Sequence, residues 1–158
     1  MKKPRPAKGS RERALRIVCI SGPNLQLLGT REPAIYGTDT LDQIHARLEG
    51  RARDLGASIA CKQTNHEGTI CDWLADARTT ADGVLLNAGA YTHTSIALHD
   101  AIKAIALPVV EVHLSNPDAR EEFRRHSAIA PACFARVAGF GPDSYLIALD
   151  GLIARLSR

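Results

Sequence analysis

The sequence predicts an α/β domain in which five parallel strands, ordered 2-1-3-4-5, are covered by helices on both faces. Three observations predict it. Short apolar runs rich in branched residues recur along the chain, each followed by a polar loop and then an apolar pattern of helical period. The central runs show no polar alternation, so both faces of those strands are expected to be buried. At 158 residues the chain has room for one such domain and its core.

The first strand is expected at residues 15–20 and ends in Ser21-Gly22-Pro23-Asn24. After a polar loop, Thr40 and Gln43 form a capping box for a helix with Leu41, Ile44, Leu48 and Leu55 inward, stopped by Gly56. Residues 57–61 read as the second strand, followed by Asn65-His66-Glu67 and a helix carrying Ile70, Trp73 and Leu74. The third strand, 84–86, runs into Asn87 and a loop through His93. A helix from about Thr94 then buries Leu98, Ala101, Ile102 and Ile105. The fourth strand spans 109–114, and Asn116 caps a helix that has Pro117 at its first position. A weaker fifth strand, 133–138, precedes a last helix with Tyr145, Leu146, Leu149, Leu152 and Ile153 inward. At this length 2-1-3-4-5 is the natural order.

Composition sets limits on function. The chain is 45% apolar and 23% charged, with a net charge of +3. Seven basic residues fall within the first sixteen, leaving a nearly neutral body that does not call for nucleic acid as a partner. Residues 1–14 are expected to form a flexible basic leader, with one catalytic domain over 15–158. The leader has no apolar segment of the secretory kind, and no stretch approaches the ~20 apolar residues that cross a bilayer. Cys19, Cys61, Cys71 and Cys133 are scattered without zinc spacing, so they read as small reduced core residues of a cytoplasmic protein, not as metal ligands. His45 and His126 read as surface residues.

Candidate chemistry collects at the strand ends, where ligands of such sheets bind. Asn24, Asn65, Glu67, Asn87, His93, His113 and Ser115 all fall there. Glu111 and His113 share one face of a strand that should be buried, which demands that they pair; the carboxylate would then fix the imidazole tautomer. The loop 29–37 is bracketed by glycines, as a lid would be, and it carries Arg31 and Tyr36. A tyrosine hydroxyl titrates near ~10, and a nearby guanidinium favours its phenolate.

The segments Gly22-Pro23-Asn24-Leu25-Gln26-Leu27-Leu28-Gly29, Arg31-Glu32-Pro33 and Tyr36-Gly37 resemble the N-terminal signature of type II 3-dehydroquinate dehydratases. So do Thr64-Asn65-His66-Glu67-Gly68, the run from Asn87 to Ser95, the run from Glu111 to Asn116, and the run from Arg120 to Ser127. The resemblance covers roughly residues 17–152 in order. It implies a flavodoxin-like three-layer sandwich and trans-dehydration of 3-dehydroquinate to 3-dehydroshikimate through an enolate, a step of the shikimate pathway and aromatic amino-acid biosynthesis. It implies Tyr36, held as phenolate by Arg31, as the base; Asn24 as enolate stabiliser through a water; and His113, oriented by Glu111, as the acid.

The same resemblance implies that Asn87 and the amides around Leu114 and Ser115 bind the substrate carboxylate, and that His93 and Arg124 hold its ring hydroxyls. It implies no cofactor and no metal, and a dodecamer built from trimers in which Asp100 reaches a neighbouring site. Two departures stand out. Ala128 replaces an expected aromatic residue, and Phe134-Ala135-Arg136 interrupts a strand expected to be small and branched; both are expected to bear on packing and assembly more than on chemistry. A nucleotide- or flavin-binding module of the same fold is the main alternative. It would need stacking aromatics or a phosphate cradle, for which only Tyr36 and Tyr91 are candidates. A receiver-type signalling domain would want an Asp where Asn87 stands. A Schiff-base dehydratase would want a lysine at a strand end, and past the leader the chain has only Lys62 and Lys103.

Overall fold

The computed structural model describes residues 13–30 and 32–158. The leader expected over 1–14 therefore lies almost wholly outside the described residues, as does Arg31. Arg13, expected to belong to the leader, sets its guanidinium on Asp82 through contacts of 2.6 and 3.2 Å.

Five strands form one parallel sheet: β1 (Arg16–Ser21), β2 (Ser58–Gln63), β3 (Gly83–Asn87), β4 (Val109–His113) and β5 (Ala135–Ala138). Their order is β2-β1-β3-β4-β5, as expected. The central strands β3 and β4 are buried throughout, whereas the edge strand β5 is half-buried along its length. Four helices cover the sheet: α2 (Leu41–Asp54), α3 (Glu67–Thr80), α4 (Ile96–Ile105) and α5 (Asp143–Leu156); α1 (Pro33–Tyr36) is a single turn between β1 and α2.

Strand pairs place alternate residues on opposite faces and so divide the core in two. On one side Ile17, Cys19, Leu85, Val110 and Val112 pack against Ile44 and Leu48 of α2 and Tyr145 and Leu149 of α5. On the other, Val18, Ile20, Val84, Leu86 and Val109 meet Ile70 and Leu74 of α3 and Leu98 and Ile102 of α4. The capping box at Thr40 forms in both directions, with Gln43 N donating to Thr40 Oγ1 and Thr40 N to Gln43 Oε1. Two expectations were too long. Pro117 opens only a three-residue 3-10 turn, Pro117–Ala119, and β5 begins at Ala135, after Cys133 and the exposed Phe134. The stretch from Asn116 to Cys133 has no sustained helical period, so it spreads over short turns rather than one helix.

The carboxyl ends of β1 and β3 approach very closely. Gly22 N donates to Asn87 O at 2.8 Å, and a Cβ on Gly22 would stand 2.6 Å from Ala88 O. Gly22→Ala must therefore displace backbone at the mouth of the sheet. It is expected to lower stability by about 1–3 kcal/mol in urea titration. Gly68→Ala, in the first turn of α3 with open space around it, is expected to be neutral or stabilising by up to about 1 kcal/mol.

Candidate active site

A cavity of about 210 Å³ opens at the carboxyl ends of β1, β3 and β4. Eight residues singled out from the sequence line it: Asn24, Tyr36, Asn87, His93, His113, Leu114, Ser115 and Arg124. Glu111 lies behind His113, fully buried. Asp100 does not reach this cavity; it is exposed on α4.

Each wall is fixed by local structure. Asn24 sits at φ 67°, a left-handed conformation that asparagine tolerates better than most residues, and its N–H donates to Asn65 Oδ1 at 3.0 Å. Gln63 Nε2 reaches that same oxygen and the Gly22 carbonyl, which ties the end of β2 to the turn after β1. Asn87 is held at both ends of its amide. Its Nδ2 donates to the Tyr145 hydroxyl at 3.0 Å, and its Oδ1 accepts from Gly89 N at 3.2 Å. The Tyr145 hydroxyl, which shares a hydrogen bond with Ser21 Oγ, is pushed far above its ordinary range by burial, so it serves as a neutral strut from α5.

The Glu111 carboxylate is the most heavily partnered group of the site. His113 Nε2 lies 2.6 Å from Glu111 Oε1, so the predicted pair is formed. Thr92 Oγ1 and Ser127 Oγ also donate to the carboxylate, Ser127 at 2.9 and 3.1 Å. Burial alone would raise the carboxyl; the hydrogen bonds from His113 and Thr92, with the charges of His113 and Arg136, outweigh it and hold the group below its ordinary value. Arg136 corrects an expectation. The departure at 134–136 is not remote from the chemistry, because Arg136 Nε stands 3.7 Å from Glu111 Oε1 across the β4–β5 pairing. Its Nε and Nη2 are buried without hydrogen-bond partners, so the carboxylate is the charge that Arg136 faces.

Tyr36, 8% exposed at the end of α1, presents its hydroxyl to Arg120, whose Nη1 donates at 2.8 Å and also lies 3.4 Å from Ser115 Oγ. Sequence reasoning missed Arg120. Its only signal was a place in the matched run from Arg120 to Ser127, and nothing marked it apart from the other arginines there. Thr92 and Ser127 were missed as partners for the same reason, and Tyr145 was read only as an inward residue of the last helix. The His93 Nδ1 must carry a proton, since it lies 2.8 Å from the His126 carbonyl. Burial lowers the His93 pKa, and the nearby positive charges of His113 and Arg124 add to this. A neutral ring leaves Nε2 as an acceptor for a hydroxyl.

The charged groups that line the cavity are two arginines, Arg120 and Arg124, with no carboxylate among the described lining residues. Such a site suits a small polar anion. Tyr36 is the only Phe, Tyr or Trp among them, which leaves a flavin or base without a stacking platform.

The sequence profile described as "Dehydroquinase class II" matches residues 15–153. The chain is 57% identical over 136 residues to a 3-dehydroquinate dehydratase of Rhizobium johnstonii, covering 86% of this chain and 94% of the relative. The crystal structure of a type II dehydroquinase from Butyrivibrio crossotus superposes with a TM-score of 0.86 at 38% identity, covering 88% of this chain and 97% of that one. That of a type II dehydroquinase from Propionibacterium acnes gives 0.84 at 41%, covering 89% and 97%. The chain belongs to the class II dehydroquinase family.

The Glu111 network has a signed pH dependence. A carboxyl held below its ordinary value of 4.5 contributes stability above that pH, and the contribution is lost as the pH falls through the lower, folded value. Glu111→Gln is expected to lose about 1–3 kcal/mol at neutral pH and to show a flatter decline below pH 4.5 than wild type, measured by urea titration across pH.

Proposed function

We propose that this site dehydrates 3-dehydroquinate to 3-dehydroshikimate by trans-elimination, within one catalytic domain over residues 15–158. The observation that carries the reading is the pair of opposed devices on one cavity: a phenol backed by a guanidinium and an imidazole backed by a carboxylate. Elimination next to a ketone needs a base for the carbon-bound proton, a stabiliser for the enolate, and an acid for the departing hydroxyl.

Tyr36 is the base. Its oxygen accepts a charge-assisted hydrogen bond from Arg120, which orients it. Arg31, outside the described residues, is proposed to act in the same sense. Asn24 stabilises the enolate, in the family's manner through a water. His113 protonates the leaving hydroxyl, with Glu111 holding its other nitrogen. Asn87 and the backbone at Leu114 and Ser115 take the substrate carboxylate, while His93 and Arg124 hold the ring hydroxyls. Burial of Tyr36 at the end of α1 limits water around the enolate.

The proposed enzyme is cytoplasmic and needs no cofactor; among the described residues no helix is long and apolar enough to cross a membrane. We further propose the dodecamer of trimers. Ile96, Phe123, Phe134 and Phe140 are 71%, 67%, 52% and 62% exposed in the single chain, and they offer apolar surface for such contacts. In the trimer Asp100 completes a neighbour's site.

The reaction is tested by the enone absorbance that appears as 3-dehydroquinate is consumed. Tyr36→Phe keeps the ring and removes the titrating oxygen, so turnover should fall at least ~100-fold with substrate binding largely retained. Near-normal turnover would remove Tyr36 from the role of base.

The shared site is tested separately. Asp100→Ala should weaken both affinity and turnover. Subunit exchange with inactive Tyr36→Phe chains should then restore activity, because some mixed sites hold both native groups. A monomer by light scattering, or verified mixed oligomers without recovery, would overturn the shared site.

A further inference from the structure

Away from the cavity, a second group of reactive side chains meets on the α2 side of the sheet. Cys19 and Cys61 stand opposite one another in the β1–β2 register, and paired residues of parallel strands project to the same face. That face carries the core shared with α2, into which Cys19 is fully buried and against which Cys61 packs. His45 lies on α2 four residues after Leu41 and three before Leu48, both buried, so its ring turns under the helix. The expectation of a surface histidine is therefore corrected: His45 is half-buried. The two sulfur atoms and one ring nitrogen of His45 all lie within 4.8 Å of one another. His45 Nε2 has no hydrogen-bond partner and is shut off from solvent. An orphaned buried nitrogen is costly, and native folds seldom leave one without a purpose.

We propose that Cys19, His45 and Cys61 form a binding site for a soft divalent metal ion of the zinc class, clamping α2 to the β1–β2 pair. The donor set decides the class. Two thiolates and an imidazole suit a thiophilic ion and do not suit magnesium or calcium, which take oxygen ligands. Metal–sulfur and metal–nitrogen bonds of about 2.3 and 2.0–2.1 Å put tetrahedral donors roughly 3.4–3.8 Å apart. From separations of at most 4.8 Å the group needs to contract by no more than about 1.4 Å, within reach of side-chain rotations.

The step balances without an oxidant. The ion forms two bonds to sulfur and one to nitrogen, and the two thiol protons leave to solvent. The resulting complex is neutral, which a buried position favours. His45 and Cys61 also line a groove with Leu27, Thr30 and Leu41, through which an ion can enter and a water can fill the fourth position. The site lies apart from the catalytic cavity, with which it shares no lining residue. Its role is to hold the helix that follows the lid segment, not to take part in the elimination.

The test uses the full chain, reduced and stripped with a chelator, and titrated with Co²⁺ as a spectroscopic stand-in for Zn²⁺. One equivalent should give thiolate-to-cobalt charge-transfer absorbance with the intense visible bands of tetrahedral cobalt, and Zn²⁺ should bleach both. Cys61→Ser should abolish the charge-transfer band while retaining turnover, and Cys71→Ser should keep the band. Zn²⁺ at one hundred times its Kd should raise the Tm by about 5–10 °C. Independently of any variant, bound Zn²⁺ should protect Cys61 from alkylation, read by peptide mass spectrometry, and leave Cys71 as reactive as before. No charge-transfer band in wild type, a band that survives Cys61→Ser, or equal alkylation of Cys61 with and without Zn²⁺ would each overturn the site.

Discussion

A carboxylate with no solvent around it must be answered by hydrogen bonds and opposite charge, and at Glu111 that requirement organises half of the active site. Desolvating such a group costs several kcal/mol if nothing replaces its water. Here the replacements come from separate parts of the chain: His113 two residues along β4, Thr92 from the turn after β3, Ser127 from the loop before β5, and Arg136 from β5 itself. Satisfying one buried charge thus fixes the relative placement of four segments. The imidazole that faces the cavity is oriented as a by-product of the same network.

The other half of the site depends on the strand ends of β1 and β3 rather than on charge. The Gly22 N–H to Asn87 carbonyl bond brings the two turns together, and the Tyr145 hydroxyl holds Ser21 and Asn87 from below. Asn24 then needs a left-handed backbone to leave the strand, and Asn65 at the end of β2 holds its N–H. Three consecutive strands of the sheet are joined through short polar side chains at one edge of the cavity. A small-residue turn there is a steric requirement, since the gap leaves no room for a Cβ on Gly22.

What the sequence revealed and what it hid follow from how far each signal extends along the chain. The strands, the four long helices and the Thr40 capping box are local patterns, and they were legible to within a few residues, whereas the helix expected after Asn116 shrank to a 3-10 turn. The Glu111–His113 pair was legible because strand period makes it local too. Arg120 was not, because its meaning depends on an 84-residue separation from Tyr36 that no periodicity records. Arg136 looked like a packing anomaly until the β4–β5 register placed it beside Glu111. Cys19, His45 and Cys61 come from three elements, and their convergence is a product of register and helix phase with no trace in their spacing.

Two contacts of opposite polarity face the same cavity, one at Tyr36 and one at His113. Each group has a different neighbour: the Arg120 guanidinium donates to the Tyr36 hydroxyl oxygen, while the Glu111 carboxylate lies against His113 Nε2. Exchanging those neighbours would reverse the charge beside each group. Arg120 and Glu111 sit on different elements, the 3-10 turn region after β4 and the interior of β4, so the course of the chain keeps the two charges apart. In the proposed elimination, a substrate anion drawn in by Arg120 and Arg124 meets a cavity in which protons pass from carbon toward Tyr36 and from His113 toward the leaving oxygen.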